Sequence, residues 1–449
     1  MLKVNELLQA TRGKLINGEK DFAIKAFSID SRTIKKGETF IAIKGDNFDG
    51  HAFIDAAIKK GASCIIKITN HKSQITKKVT CIGVKDTTKA LADIARFMRQ
   101  KFNIPVIAIS GSNGKTTVKE MIAWVLSGKF KVLKNEGTKN NHIGLPLTLL
   151  GLDSGFDIGV LELGTNHFHE IENLVKICLP NIGIITNIAP AHLEYFGDLR
   201  GVFREKYTLI KNLEEPYIGI LNNDDPLFKK EILKKTKQPP IFSFGIKNKS
   251  DFSATIIRSL AGKTEFMAGK QKFVLNTRGE YNVYNALAAI AAARIFGLTC
   301  KDIAKRLASF DFPQGRMKMI SLNQATLIDD TYNSNPLSLK AALNTLKSIK
   351  TKGRKIVVMG DMLELGQDRE IMHFEAGREV AKVCDIFIAV GPLSKFAAEA
   401  AKICGKKKVF SCKSSQEAGR LLFHKITPKE NDLVLVKGSR AMKMEGVFK

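Results

Sequence analysis

The sequence has no Cys-x-x-Cys pair, and its cysteines number seven, an odd count. Both facts argue against a disulfide scaffold or a zinc ribbon and leave reduced thiols as the expectation. No uninterrupted apolar run of about eighteen residues occurs, so no membrane-crossing helix is expected. Residues 1–14 lack the apolar core of a secretory signal, and a cytoplasmic location is expected. Acidic residues are scarce: 44 Asp and Glu against 71 Lys and Arg give a formal net charge of +27. Such a charge suits a polyanionic partner such as nucleic acid. The basic residues, however, are scattered pairs such as Lys59-Lys60 and Lys234-Lys235, with one short run from Lys406 to Lys408. Without a basic tail or an aromatic-interleaved stripe, a lysine-rich solvated surface is the better reading, with no nucleic-acid partner. Internal repeats and low-complexity tracts are also missing.

What is present is an ordinary globular composition, 44% apolar and 26% charged. At roughly 100–200 residues per domain, 449 residues suggest two to four domains. Strand candidates at Phe40 to Ile43 and Cys64 to Ile66 flank an amphipathic stretch from His51 to Lys60. From Ile104 the pattern turns to strand, glycine loop and helix. Val106 to Ile109 is a short apolar run, and Val118, Met121, Ile122 and Val125 then mark a buried helix face. Further strand candidates are Ile158 to Leu163, Ile182 to Ile188, Tyr217 to Leu221 and Ile241 to Phe244. Beyond a break at Phe312-Pro313-Gln314-Gly315 come Thr326 to Ile328, Lys355 to Met359, Ile386 to Val390 and Leu433 to Val436. The alternation predicts an α/β protein of three domains: a small N-terminal α/β unit (1–103), a central doubly wound, mostly parallel sheet carrying the glycine loop (104–313), and a Rossmann-like C-terminal unit (314–449).

The strongest motif is Ser110-Gly111-Ser112-Asn113-Gly114-Lys115-Thr116-Thr117. A strand enters a glycine loop that opens a helix, so backbone N–H groups and the helix dipole face an anion. Lys115 would reach the outer phosphates of a nucleotide, and Thr116 would offer its hydroxyl to Mg²⁺. The usual phosphate-loop pattern has glycine four residues before the Gly-Lys pair; here Ile109 stands there. That shortening disfavours a generic kinase or GTPase. Glu162 lies within the apolar strand candidate Val160 to Gly164, where a carboxylate is costly unless paired or bound to a cation. His192 follows another apolar strand. Two such groups at strand ends beside a phosphate loop point to metal binding, because open α/β sheets bind ligands at their carboxyl edge.

Together these segments resemble the Mur ligases. The resemblance implies that Gly111 to Thr117 is the ATP loop and that Glu162 and His192 are magnesium ligands. It also implies that Lys206, in Arg204-Glu205-Lys206-Tyr207, is a lysine that CO₂ converts to a carbamate supporting a second Mg²⁺. From the residues alone, Lys206 would be a solvated lysine. Tyr281-Asn282-Val283-Tyr284-Asn285 resembles the adenine-side motif, with Asn285 at the base and Tyr281 where the family usually has His. Gly315-Arg316-Met317 resembles the start of the third domain, with Arg316 clamping phosphates. Asp329-Asp330-Thr331-Tyr332-Asn333-Ser334-Asn335-Pro336 resembles the block of the family type that adds D-alanyl-D-alanine. In it Asp330 would hold the ATP ribose, and Asn335 and Pro336 also read as a helix N-cap and first position. Gly360 to Gly366 and Val436 to Arg440 carry the same likeness, and the Asp-Asn-Pro-Arg signature of the diaminopimelate-adding type is missing.

By resemblance, Ser31, Arg32, Asp49, Gly50 and His51 would hold the UDP end of the substrate. Asn141, Thr165 and Asn166 would meet its muramoyl and peptide portions, and Tyr332, Asn335, Lys437 and Ser439 complete the substrate contacts. Phe168 and His169 stand where the family has Pro and Gly. Lys115, His192 and Lys206 are expected to carry catalysis. The implied activity joins D-alanyl-D-alanine to a UDP-N-acetylmuramoyl-tripeptide, using ATP and Mg²⁺ through an acyl phosphate, in peptidoglycan precursor synthesis by a monomer. The nearest alternatives are a diaminopimelate-adding or folylpolyglutamate-synthase-like ligase; a phosphate-loop kinase and a nucleic-acid-binding ATPase are the other classes.

Overall fold

The computed structural model describes residues 2–45, 48–72, 75, 78–232, 239–260, 262–322 and 325–448. Lys234 and Lys235, cited above for charge, lie outside them. Three β-sheets with flanking helices dominate the chain, with a small two-stranded pair, Leu2–Lys3 with Ala23–Ile24, beside the first.

The first sheet orders its strands Lys14–Asn17, Thr80–Val84, Cys64–Ile68, Thr39–Ile41, Phe27–Ser28, all parallel except the first pair. Helix Thr87–Lys101, capped by the Asp86 carboxylate, leads from it toward the central sheet. At its end the buried Arg99 guanidinium donates to Cys178 O, Leu179 O and Phe102 O, fastening the two units together.

The central sheet has nine strands. Strand Val106–Ser110, feeding the glycine loop, runs between Ile182–Ile185 and Ile158–Glu162, with Val132–Lys134 at one edge. Ile218–Asn222, Ile241–Gly245 and Phe252–Leu260 continue the parallel array on the other side. Ile107, Ile109, Val160, Ile184 and Ile220 pack into one core, while Val106, Ala108, Leu161, Ile185 and Leu221 pack into another. Both faces are therefore covered, which is why these strands read as near-continuous apolar runs. Lys263–Ala268 and Gln271–Leu275 extend the sheet as an antiparallel meander that the sequence reading did not anticipate.

The third sheet orders Lys318–Leu322, Ala325–Asp330, Leu433–Lys437, Lys355–Gly360, Ile386–Val390, Val409–Cys412, with only the first pair antiparallel. Alternate residues again enter two cores, Ile328, Val357 and Phe387 on one face and Leu327, Ile356 and Ile388 on the other. Among the described residues no helix is long and apolar enough to cross a membrane.

Candidate active site

One cleft of about 640 Å³ collects the carboxyl-edge loops of the central sheet and faces the third sheet. Its floor is the glycine loop. Gly111 (φ +141°) and Gly114 (φ +84°) sit in a backbone region closed to most side chains. A Cβ on Gly111 would stand 1.9 Å from Thr186 Oγ1, and one on Gly114 would stand 2.4 Å from Asn285 Oδ1. Helix Lys115–Leu126 then starts with no side-chain cap, so its first N–H groups face the cleft, the arrangement that binds phosphate. Ser112 and Asn113 are tied to the segment leading to His192: Ser112 N donates to Asn187 O at 2.9 Å, and Asn113 N donates to Asn187 Oδ1 at 3.1 Å.

Lys115 donates back to Gly111 O at 2.9 Å. Burial lowers its pKa below the usual lysine value; nearby Glu162 opposes the shift and Arg316 adds to it. Glu162 is 2% exposed and ends its strand inside a set of neutral donors. Thr116 Oγ1 donates to Glu162 Oε2 at 2.7 Å, and Asn140 Nδ2 donates to Oε1 at 2.7 Å. Asn135 clamps the Glu162 backbone, accepting from its N–H (2.9 Å) and donating to its C=O (3.0 Å). Lys119 in turn holds Asn135 O at 2.6 Å and Gly137 O at 2.9 Å. Asn135 and Lys119 escaped the sequence reading, whereas Asn140 lies in the segment 138–144, which resembles the family's asparagine-rich loop. Asn141 lines the cleft and caps the turn at Gly144 N, 2.8 Å away.

Lys206 corrects the reading made from residues alone. It is 1% exposed, not solvated, and makes no hydrogen bond or ion pair with a described residue. Burial lowers its pKa well below the ordinary lysine range, and Lys115 pushes the same way against Glu205 and Glu170. The residue does not itself line the cleft. His192, at φ +54°, does, with Nδ1 2.5 Å from Glu364 Oε2 of the third unit. That contact holds the Glu364 carboxyl below its usual pKa. Glu162 and Thr116 offer the hard oxygen donors that suit Mg²⁺, and His192 adds an imidazole in the same cleft. A carboxylate 2% exposed yet met only by neutral hydrogen-bond donors among the described residues fits a cation site.

The third sheet closes the cleft through named contacts. Arg316 donates to Thr116 Oγ1 at 3.0 Å, and its guanidinium lies 3.8 Å from the centre of the Tyr332 ring. Asn335 Nδ2 donates to Asn113 Oδ1 at 2.8 Å. Asn335 also caps helix Pro336–Ser348, with Pro at the first position, as read from the sequence. Asp330 pairs with Lys437 Nζ at 2.5 Å, and Lys437 donates to Asn333 O at 3.0 Å. Asn285 donates to Asn282 Oδ1 at 3.0 Å on the wall of the cleft. Tyr281 also lines it, its buried hydroxyl without a well-formed hydrogen bond among the described residues. Thr165, Asn166, Thr117 and Tyr332 line the cleft as well.

The remaining expected residues lie elsewhere. Ser439 is 4% exposed and accepts from Leu363 N at 2.8 Å, bracing the loop that bears Glu364. Ser31 is buried, and Arg32 extends into solvent, paired with Asp30 of the same turn at 2.8 Å. That hydrogen-bonded pair lowers the Asp30 pKa to about 2. Gly50 and His51 are buried in the first unit. Asp49, His51 and His71 cluster closely enough to suggest a metal. Both His51 nitrogens are taken, however, Nδ1 by Asp49 at 2.6 Å and Nε2 by the Ile68 N–H at 2.9 Å.

Comparison with known proteins agrees with this geometry. Three family profiles match in series: the Mur ligase family, catalytic domain, over residues 23–99, the Mur ligase middle domain over 109–293, and the Mur ligase, glutamate ligase domain over 315–440. The UDP-N-acetylmuramoyl-tripeptide–D-alanyl-D-alanine ligase of Bacillus subtilis (strain 168) is 33% identical over 99% of this chain and 97% of its own. That of Escherichia coli (strain K12) is 36% identical over 97% and 96%. A crystal structure of MurF from Acinetobacter baumannii superposes with a TM-score of 0.90 at 33% identity, covering 99% and 97%. MurF from Thermotoga maritima, solved in complex with ADP, gives 0.83 at 29%, covering 94% and 96%. The chain belongs to the Mur ligase family of ATP-dependent ligases and, within it, to the MurF type.

Proposed function

We propose that this protein joins D-alanyl-D-alanine to a UDP-N-acetylmuramoyl-tripeptide at the cost of ATP, in the cytoplasm and as a monomer. The observation that carries the reading is the convergence of the glycine loop, Glu162 and the third-sheet residues Arg316, Asp330 and Asn335 on one cleft. Residues 1–103, 104–313 and 314–449 would serve respectively to hold the UDP end, to bind ATP, and to close over the nucleotide and receive the dipeptide.

Amide formation from a carboxylate in water is uphill and needs activation. The tripeptide's terminal carboxylate oxygen attacks the γ-phosphorus of ATP, the bond to ADP breaks, and an acyl phosphate forms. The amine of D-alanyl-D-alanine then attacks the acyl carbon, and the tetrahedral intermediate expels phosphate. The chain contributes positioning and charge neutralisation. Backbone N–H groups from Gly111 to Thr117 and the Lys115 amine would bind the phosphates, and Arg316 would release Thr116 to reach them. Asp330 would take the ribose hydroxyls, and Asn285 the adenine. Thr116, Glu162 and His192 would hold Mg²⁺, which supplies charge neutralisation at the phosphates when bound. Lys206, whose pKa burial lowers well below the ordinary lysine range, would be the nucleophile that adds CO₂ and becomes an anionic carbamate. Ser31, Arg32, Asp49, Gly50 and His51 would serve the UDP end, Asn141, Thr165 and Asn166 the muramoyl-peptide, and Tyr332, Lys437 and Ser439 the shape of the acceptor side.

The test is phosphate release from ATP with UDP-muramoyl-tripeptide while acceptors are varied. Turnover should require D-alanyl-D-alanine. Equal turnover with free lysine, diaminopimelate or glutamate would remove the MurF-type reading.

A further inference from the structure

His192 and Glu364 meet across the cleft from different sheets, with Nδ1 and Oε2 2.5 Å apart. Both are non-glycine residues in the left-handed backbone region, at φ +54° and +62°. Such a conformation is uncommon outside glycine, and its appearance at both ends of one contact marks a place the fold constrains for a reason. The approach is reinforced by the main chain. Glu194 N faces Glu364 O at 3.4 Å, and Gly366 (φ +71°) lies against the Leu193–Glu194 backbone. Ser439, from yet another strand end, holds the Glu364 loop by accepting from Leu363 N.

An ionised carboxylate can only accept a hydrogen bond, so the proton in this contact sits on Nδ1. Nε2 makes no hydrogen bond with a described residue and is left free of that contact. Histidines that ligate metals commonly give their other N–H to a carboxylate, which fixes ring orientation and raises ligand basicity. Here the carboxylate belongs to the unit that closes over the nucleotide.

We propose that Glu364 is a positioning residue that holds His192 in its Nδ1-protonated tautomer with Nε2 available to the metal, and that it does so only when the third unit is docked. Metal affinity is thereby coupled to closure. The inference rests on His192 being a Mg²⁺ ligand.

The test is Mn²⁺ binding, read by electron paramagnetic resonance, to the full-length protein with a non-hydrolysable ATP analogue. His192→Ala should weaken Mn²⁺ at least tenfold. Glu364→Ala should weaken it about ten- to a hundredfold, Glu364→Gln, which keeps an acceptor oxygen, by less, and the double variant no more than His192→Ala alone. Glu364 is 41% exposed, so its variants should fold, and unchanged thermal midpoints would show it. Parental Mn²⁺ affinity in Glu364→Ala, with His192→Ala weakened, overturns the positioning role and leaves the ligand reading standing. Additive losses in the double variant overturn it as well. Parental affinity in His192→Ala removes the ligand reading and the inference with it.

Discussion

Two helices of the central unit each bury a lysine, and the two lysines are treated in opposite ways. On helix Lys115–Leu126, Lys119 is 0% exposed and satisfied: two carbonyls accept from it, and Glu120 Oε1 lies 2.9 Å away. On helix Leu199–Lys211, Lys206 is 1% exposed and makes no such contact. A buried charge normally needs a partner. Lys119 has its partners and is architecture, locking the Asn135–Gly137 loop that shapes Glu162. Lys206 makes no hydrogen bond or ion pair with a described residue, and burial lowers its pKa well below the ordinary lysine range. Burial alone does not separate structure from chemistry; the partner list does.

The largest effect should come from the unpaired lysine. Lys206→Met and Lys206→Arg should both lose turnover, by about 10²–10³-fold, the scale of removing preorganised charge stabilisation from a reacting centre. Lys206→Met should keep or raise stability, because an apolar side chain of similar volume replaces an unpaired amine. Lys115→Ala should lose turnover on the same scale with an unchanged unfolding midpoint, since Lys115 is only half-buried. Phosphate release and urea unfolding of the same preparations check both.

Lys119→Met should behave in the opposite way, losing about 3 kcal/mol of stability because two carbonyls and a carboxylate are left unmatched. Stability equal to the parent's would break the comparison. Asp330→Asn should raise the apparent KM for ATP more than that for the dipeptide, if Asp330 takes the ribose hydroxyls as proposed; a selective effect on the dipeptide would contradict that assignment.

The smallest expected effect concerns a third buried nitrogen, His373. It is 0% exposed, accepts from Met362 N at 2.9 Å, and donates from Nδ1 to Arg369 O at 2.6 Å. Burial lowers its pKa. The unfolded chain therefore binds more protons than the folded one between the lowered value and the unfolded value of about 6.5. Stability from this group is full above about pH 6.5 and is lost as the pH falls through that window. The urea midpoint of His373→Gln should vary less with pH there than the parent's.

Much of this was legible. The apolar runs at Val106, Ile158, Ile182, Lys355, Ile386 and Leu433 became strands because both sheet faces are covered. The glycine loop and Glu162 were readable as residue types around strand ends, Arg316 and Asp330 only through the family resemblance, and all line one cleft. The meander from Phe252 to Leu275 was missed because only part of it reaches the core, leaving a broken pattern of alternation. From the residues alone Lys206 read as solvated, although its spacing held the clue to its burial. Val202 and Phe203 lie four and three residues before it, Leu209 and Ile210 three and four after, so it sits on the apolar stripe of its helix. Lys119 likewise precedes Ile122 and Ala123 by three and four residues and Leu126 by seven. Glu364 was not readable as a functional residue, because its meaning comes from His192, 172 positions away. The expected UDP residues include a solvent-facing Asp30–Arg32 pair and a turn in which an exposed Asp49 carboxylate meets the buried His51 ring, contacts that local residue type does not distinguish from binding.

The most direct measurement of the central claim, that the unpaired lysine is the reactive one, is a ¹³C spectrum of the protein equilibrated with ¹³C-bicarbonate. The account predicts a protein carbamate resonance in the parent and in Lys119→Met that disappears in Lys206→Arg. A parent without that resonance, or a Lys206→Arg protein that retains it, would contradict the account.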